Sequence, residues 1–222
     1  MNLIDVRKHN SDFLISYTKQ LLRWAEEEFG EKIFMTSAFG INGIVLLDII
    51  KEEISSVPVY FLNTGFHFKE TLEVKEHYKK AGYNVMEIST EVDQENLREK
   101  YGHDLCCQVN KVEPMKRILQ DKKGVLWITA LSRDQSSNRG KVPILQLLGN
   151  GTYKYNPLIA WTTDDVWHYI KSHKLYYNKL YDKGFKSIGC QPCTTPMLSG
   201  EQNRSGRWRG TSKTECGLHT KI

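Results

Sequence analysis

The order of hydrophobic and polar positions predicts helices and strands that alternate over the first three quarters of the chain. Apolar residues at helical spacing predict helices over 12–29, 44–53, 69–81, 112–120 and 163–172, with a shorter helical segment over 94–100. Apolar runs bounded by polar turns predict strands over 32–35, 57–62, 84–88 and 124–129. This alternation predicts an α/β fold in which an open parallel sheet carries helices on both faces.

The character of the chain changes after residue 174. Residues 175–222 are rich in Gly, Ser, Thr, Arg and Cys and show little periodicity. We therefore predict an α/β body over 1–174, followed by a functional C-terminal tail over 175–222.

Composition narrows the class of protein. Hydrophobic residues make up 40% of the 222 residues and charged residues 26%, which suffices for a buried core and argues against disorder. The longest apolar stretches, such as Ile44–Leu47, are far short of the roughly 20 residues that cross a bilayer. The N-terminal residues have no apolar segment typical of an export signal. These features predict a soluble, cytoplasmic protein.

Polar turns follow three of the predicted strands, at 37–43, 63–65 and 132–141. In open parallel sheets, ligands bind beyond the carboxyl ends of the strands. Gly40 and Gly43 precede a predicted helix, so backbone N–H groups there could bind an anion. The turn is neither a Walker A loop nor a GxGxxG motif. It resembles the phosphate loop of ATP pyrophosphatases but lacks the acidic residue after the glycines, which disfavours ATP–magnesium chemistry.

The five cysteines form an adjacent pair, Cys106 and Cys107, a CxxC motif at Cys190 and Cys193, and the isolated Cys216. A cytosolic chain keeps its thiols reduced, so a disulfide framework is not expected. CxxC is often half of a zinc site, but adjacent cysteines fit poorly around one tetrahedral ion. A cubane cluster separates its irons, and the pattern therefore favours an iron–sulfur cluster over zinc. Two buried thiols, or a strained disulfide between them, remain the alternatives for the adjacent pair.

Charge and position suggest different roles for two of these thiols. Cys107 comes just before the helix predicted from residue 112, where the helix N-terminus and Lys111 would favour a thiolate. Cys216 follows the basic run at 204–213 and has His219 close by, the surroundings of a reactive thiol. The net charge of +5 also indicates an anionic partner. A thiol on a mobile tail could react in a pocket and then meet a second protein. Three glycines would give the tail its mobility: Gly206, Gly210 and Gly217.

Seven motifs in one order resemble those of the assimilatory adenylyl-sulfate reductases, within the wider group of phosphosulfate reductases. They are SAFGING, FLNTGFHFKET, CCQVNKVEP, WITALSRDQSSNR, NPLIAWTTDDVW, SIGCQPCT and ECGLH. The similarity extends from Thr36 to His219. It implies an adenine nucleotide alpha hydrolase-like fold, with a nucleotide-binding domain over 1–174 and a redox-active tail over 175–222.

The resemblance also implies roles for individual residues. The cysteines that would hold a [4Fe–4S] cluster are Cys106, Cys107, Cys190 and Cys193, and Cys216 would be the catalytic nucleophile. The residues that would bind the substrate are Ser37, Gly40, Gly43, Leu62, Thr64, Gly65, Lys111, Arg139, Arg204, Arg207 and His219. The chain departs from the usual family pattern at Asn42 and Asn63, which affects the expected grip on the nucleotide.

The activity that the resemblance implies is thioredoxin-dependent reduction of adenylyl sulfate to sulfite and AMP, through an enzyme S-sulfocysteine, in sulfate assimilation and cysteine biosynthesis. The implied partners are adenylyl sulfate and thioredoxin, without nucleic acid or membrane, and a homo-oligomer is compatible with the sequence. Three alternatives remain: a reductase for 3′-phosphoadenylyl sulfate or both nucleotides, a tRNA-thiolating ATP pyrophosphatase, and a zinc-ribbon nucleic-acid-binding module in which Trp208 stacks on a base.

Overall fold

A six-stranded sheet forms the centre of the computed structural model, which describes residues 6–54, 56–90, 97–120, 122–201 and 204–222. The strand order is β3-β2-β1-β4-β6-β5, and every neighbouring pair is parallel except β5 and β6. The strands are β1 (Ile33–Thr36), β2 (Val59–Asn63), β3 (Val85–Ser89), β4 (Leu126–Ile128), β5 (Leu145–Leu147) and β6 (Tyr153–Tyr155). The predicted open parallel sheet is thus confirmed, with one antiparallel strand at its edge.

Helices cover both faces of this sheet. They are α1 (Val6–Phe29), α2 (Ile41–Glu53), α3 (Lys69–Lys80), α4 (Leu97–Cys107), α5 (Glu113–Leu119) and α6 (Thr163–Ser172). Successive side chains of β4 point to opposite faces, as the two-residue period of a strand requires. Leu126 and Ile128 join the large core beneath α1, α2 and α6, whereas Trp127 packs with Met115 and Leu119 on the α5 side. The prediction of helices on both faces is confirmed.

The sequence pattern did not predict β5 and β6. Each strand has only three residues, and Lys154 lies at the centre of β6. A buried lysine in a three-residue strand gives no apolar run and too little alternation to recognise. Pairing with β4 and β5 supplies the backbone hydrogen bonds that stabilise these strands. Tertiary contacts therefore outweigh a weak local signal.

The expected position of Cys107 just before a helix is wrong. Cys107 is the last residue of α4, and a π-helical turn at Gln108–Val112 continues directly into α5. Within the described segment 97–119, the helix N-terminus that was expected near residue 112 is therefore not a free end beside the thiol. Helix α1 is described from Val6, earlier than the predicted start at residue 12, and residues 94–96 of the predicted 94–100 segment lie outside the described residues. Within the described ranges, none of the helices is both long and apolar enough to cross a bilayer.

Within the tail, backbone hydrogen bonds fasten residues 206–208 to the CxxC segment. Thr195 N donates to Gly206 O (2.8 Å), and Trp208 N donates to Cys193 O (3.0 Å). A Cβ atom on Gly206 would overlap the carbonyl oxygen of Thr195. Glycine at this position therefore permits close packing between two backbone segments, instead of supplying the mobility expected from the sequence.

We predict that Gly206→Ala lowers the free energy of unfolding by about 2 kcal/mol, because the added methyl group meets backbone that cannot move aside cheaply. Gly149→Ala is the matched control, since nothing lies within 4 Å of its added Cβ. Urea denaturation of both variants measures the effect. Equal midpoints for Gly206→Ala and the unsubstituted protein would contradict the close-packing explanation.

Candidate active site

A cavity of about 260 Å³ lies beyond the carboxyl ends of β1, β2 and β4. Its walls come from the turn after β1, the end of β2, the loop after β4, the segment 186–189 and the tail. This is the edge of a parallel sheet at which ligands are expected to bind. The polar turns 37–43 and 132–141 both contribute, as the sequence predicted for their position.

Most of the residues predicted to bind substrate, together with Cys216, line this cavity. They are Ser37, Gly40, Gly43, Leu62, Lys111, Arg139, Arg204, Arg207 and His219. Thr64 and Gly65 do not line it. Thr64 is buried with its hydroxyl 3.3 Å from Cys190 Sγ, and Gly65 is an exposed turn residue with φ +73°. The chain turns at Gly65, which leaves Thr64 facing the cysteines and not the cavity.

The turn after β1 brings the N-terminus of α2 to the cavity. Gly40 occupies the N-cap position and has no side chain to bind the first-turn N–H groups, which suits an anion at this end of the helix. The hydroxyl of Ser37 accepts a hydrogen bond from Phe39 N (3.0 Å). A Cβ on Gly43 would come within 2.7 Å of the same hydroxyl. The close contact explains why glycine suits this helical position.

The tail carboxylate Glu215 joins two arginines in one wall of the cavity. Arg139 Nε and Nη2 donate to the two Glu215 oxygens, each at 2.9 Å, and Arg204 Nη2 donates to Oε2 at 3.2 Å. Burial raises the pKa of Glu215, but the two guanidinium groups outweigh it, so the pKa lies below its usual value. Burial and the nearby Arg139 lower the pKa of Arg204 to about 10. Glu215 immediately precedes Cys216, which is therefore held at a strongly cationic wall.

A second anchor follows Cys216. Lys154 Nζ donates to the carbonyl oxygen of His219 (3.0 Å), and the His219 ring stacks on Trp127 with centroids 5.6 Å apart. Burial lowers the pKa of Lys154 to about 8 and keeps the pKa of His219 well below its usual value. The His219 Nδ1 atom is buried without a hydrogen-bond partner within the described structure. The imidazole is thus neutral and packed, not a solvated terminal group.

Four cysteines line one small cavity beside the first: Cys106, Cys107, Cys190 and Cys193. Three of these thiols have polar neighbours: Thr64 Oγ1 lies 3.3 Å from Cys190, Asn110 Nδ2 3.6 Å from Cys106 and His103 Nδ1 3.5 Å from Cys193. Among the described residues, no three His, Cys, Asp or Glu side chains are grouped to hold a single metal ion. The four cysteines that the resemblance implies as cluster ligands therefore share one cavity, although they are distant in sequence.

Lys111 lies between the two cavities and lines both. Burial lowers its pKa, but Cys190 and Cys216 outweigh that effect, so the pKa is raised and the ammonium group stays charged. Burial raises the pKa of Cys190, yet Lys111 and the Thr64 hydroxyl outweigh it and the net shift is downward. Burial raises the pKa of Cys107 to about 11 despite Lys111, contrary to the expectation for that residue.

Sequence reasoning missed His67, Lys154 and Glu215. His67 lines the main cavity, its Nε2 lies 3.1 Å from Leu62 O, and its Nδ1 is buried without a partner within the described structure. Burial lowers the pKa of His67 to about 4, so the ring is neutral. Glu215 and His67 both lie within the motifs that carry the family resemblance, and this was the one feature of the sequence that could have indicated them as cavity residues. Lys154 gave none, because its strand was not predicted.

The chain is similar to known proteins over most of its length. A family model described as the phosphoadenosine phosphosulfate reductase domain matches residues 32–196. The chain is 42% identical over 211 residues to adenosine 5′-phosphosulfate reductase 2 of Bacillus subtilis (strain 168), covering 90% of this chain and 88% of that protein. It is also 42% identical over 205 residues to phosphoadenosine 5′-phosphosulfate reductase of Gloeobacter violaceus, with 86% and 83% covered.

A solved structure shares the fold. The crystal structure of phosphoadenylyl-sulfate reductase from Candida auris, in a phosphate complex, superposes with a TM-score of 0.69 at 27% identity and covers 88% of this chain and 99% of that one. The family model, the sequence relatives and this structure agree over most of the chain. On these grounds the chain belongs to the phosphoadenosine phosphosulfate reductase family.

Proposed function

We propose that this protein is an oxidoreductase that reduces adenylyl sulfate to sulfite and AMP at the expense of a dithiol protein such as thioredoxin. The observation that carries the proposal is the position of Cys216 on the wall of a cavity that also presents Lys111, Arg139, Arg204 and Arg207. The name of the Bacillus subtilis relative supports adenylyl sulfate as the substrate. Family membership favours a reductase over a tRNA-thiolating enzyme or a zinc-ribbon module.

The substrate would bind with its anionic groups toward the cationic wall. Guanidinium groups bind phosphate and sulfate oxygens through two parallel N–H donors, which suits Arg139, Arg204 and Arg207. The N-terminus of α2, with Gly40 as its cap, offers further backbone donors. Most of the other predicted substrate-binding residues line the same cavity, which supports their proposed roles. Thr64 and Gly65 do not line it, so their proposed roles lack this support.

In the first step the thiolate of Cys216 attacks the sulfur of the sulfuryl group. An S–S bond forms, the bond from sulfur to the phosphate oxygen breaks, and AMP leaves with the electron pair. AMP is a stable anion and needs no strong acid, so the cavity's main contribution is to stabilise negative charge. The product is S-sulfocysteine at Cys216.

In the second step a thiolate of the dithiol partner attacks the Sγ atom of Cys216. Sulfite leaves, and a mixed disulfide joins the two proteins. The second thiol of the partner then attacks the partner's first cysteine sulfur in that mixed disulfide, and Cys216 leaves as a thiolate. The partner is oxidised to a disulfide and the sulfuryl sulfur is reduced by two electrons, so the balance closes.

The four cysteines of the second cavity are the residues that would hold a [4Fe–4S] cluster, namely Cys106, Cys107, Cys190 and Cys193. When bound, such a cluster would supply compact negative charge and no covalent step. Lys111 would remain charged between the thiolates and the substrate and would direct its ammonium group toward the sulfuryl oxygens.

A cytoplasmic location and the division of the chain at residue 174 stay predictions.

A reductase that takes 3′-phosphoadenylyl sulfate, or both nucleotides, is the second candidate. The name of the Gloeobacter violaceus relative, which is equally identical to this chain, favours it. The two substrates differ only by a 3′-phosphate on the ribose. The same Cys216 chemistry would serve both substrates. The preference therefore depends on whether residues of the cavity wall bind the 3′-phosphate.

We predict that Cys216→Ser abolishes covalent labelling by adenylyl sulfate carrying radioactive sulfur and lowers sulfite production by at least about 10³-fold, since the hydroxyl is a far weaker nucleophile. The iron content is the control and should not change, because Cys216 is not among the four thiols of the second cavity. Labelling that persists in the variant would assign the nucleophile to another residue.

We predict that protein prepared without oxygen contains about four irons and four sulfides per chain. Cys107→Ser should lose most of this iron, whereas Cys216→Ser should retain it. Metal analysis and visible absorbance measure both. One zinc per chain, with no colour, would contradict the cluster assignment.

We predict that adenylyl sulfate is reduced with a kcat/KM at least about tenfold higher than 3′-phosphoadenylyl sulfate, a difference that one unpaired phosphate readily produces. Direct competition of the two nucleotides for sulfite release measures the ratio. A ratio near one, or a reversed one, would favour the second candidate.

A further inference from the structure

The structure shows a carboxylate where the proposed reaction needs an anionic substrate. We propose that Glu215 is an internal anion that holds the guanidinium groups of Arg139 and Arg204 while the tail is closed, and that the substrate binds by displacing it. This inference rests on the proposed function, because that function makes these arginines substrate ligands. It gives a role to a residue next to the nucleophile.

Glu215 is bound as an oxyanion ligand would be. Both of its oxygens accept hydrogen bonds from Arg139 at 2.9 Å, and one of them also accepts from Arg204 at 3.2 Å. All three side chains are largely buried: the exposed fraction is 14% for Glu215, 12% for Arg139 and 18% for Arg204. A two-donor fork of this kind is the geometry in which arginine recognises phosphate and sulfate. The same donors cannot bind Glu215 and a substrate oxyanion simultaneously.

Charge explains why an internal anion is needed. Arg139, Arg204, Arg207 and Lys111 all line one small cavity, and like charges at short range repel one another. Burial and the neighbouring Arg139 lower the pKa of Arg204, whereas Glu215 acts in the opposite direction. Glu215 thus stabilises the cationic wall before the substrate arrives. An arriving oxyanion takes over that stabilising role.

The exchange also acts on the nucleophile. Cys216 follows Glu215 directly, with neighbouring Cα atoms about 3.8 Å apart, so displacement of the carboxylate removes a restraint immediately beside the thiol. The anchor on the other side, where Lys154 binds the carbonyl oxygen of His219, does not involve the arginines. Cys216 therefore stays near the cavity while the Glu215 side of the tail is released.

The test measures Kd by calorimetry for adenosine, AMP and adenylyl sulfate. The full-length Cys216→Ser protein, with its native metal content, binds without reacting and serves as the parent. Glu215→Gln in this parent should lower the Kd of AMP and adenylyl sulfate by about tenfold, since their anions no longer compete with a carboxylate. The Kd of adenosine, which has no anionic group, should not change.

Two further variants complete the design. Glu215→Ala removes the competing carboxylate in a second way and should tighten binding of the same two anions. Glu201→Gln breaks a similar pair with Arg209 in the same part of the chain, but Glu201 does not line the cavity. It should leave all three Kd values unchanged.

An equal shift for all three ligands in Glu215→Gln would overturn the inference, because it would show altered packing of the tail. Weaker binding of adenylyl sulfate would also overturn it and would make Glu215 an aid to arginine positioning. Unchanged Kd values would overturn only the role of Glu215. If the parent does not bind adenylyl sulfate at all, the proposed function fails, and this inference fails with it.

Discussion

The docking of the C-terminal tail across the carboxyl edge of the sheet is the interaction on which the site depends. The sheet alone presents a helix N-terminus and polar turns, which many nucleotide-binding proteins share. The tail adds Arg204, Arg207 and Cys216. Glu215 and His219 fasten it on either side of the thiol, one through guanidinium groups and the other through Trp127 and Lys154. The reactive residue is thereby held between two contacts that depend on different physical forces.

Electrostatics links the two cavities. Nearby positive charge stabilises both thiolates and anionic substrates. The fold supplies this charge from the loop after β4, from the tail and from Lys111. Lys111 lies in the π-helical turn between α4 and α5, which carries its side chain between the cysteines and the main cavity. Burial alone would favour neutral groups here. At Lys111, Cys190 and Glu215 the opposite charges and hydrogen bonds outweigh burial, so their pKa values shift toward the charged form.

Particular elements show how far sequence pattern extends. The strands β1, β2 and β4 were predicted because their buried positions form continuous apolar runs, as parallel strands covered on both faces require. Strands β5 and β6 were missed because three residues around a lysine carry no such run. The charge state of Cys107 was misjudged for a different reason: local spacing suggested a helix start, whereas Cys107 ends α4 and leads directly into a π-helical turn. Burial, which sequence does not display, then raises the thiol's pKa.

The sequence by itself determined the fold class, the family and the chemical inventory of the site, since hydrophobic period, turn residues and motif order are properties of the chain. Only the tertiary structure decided that Thr64 faces Cys190, that Gly206 serves close packing and that Glu215 occupies two arginines. These facts depend on groups distant in sequence meeting at short range. Contact distance and burial, not residue identity, then determine which charges attract, which are stabilised and which must be displaced.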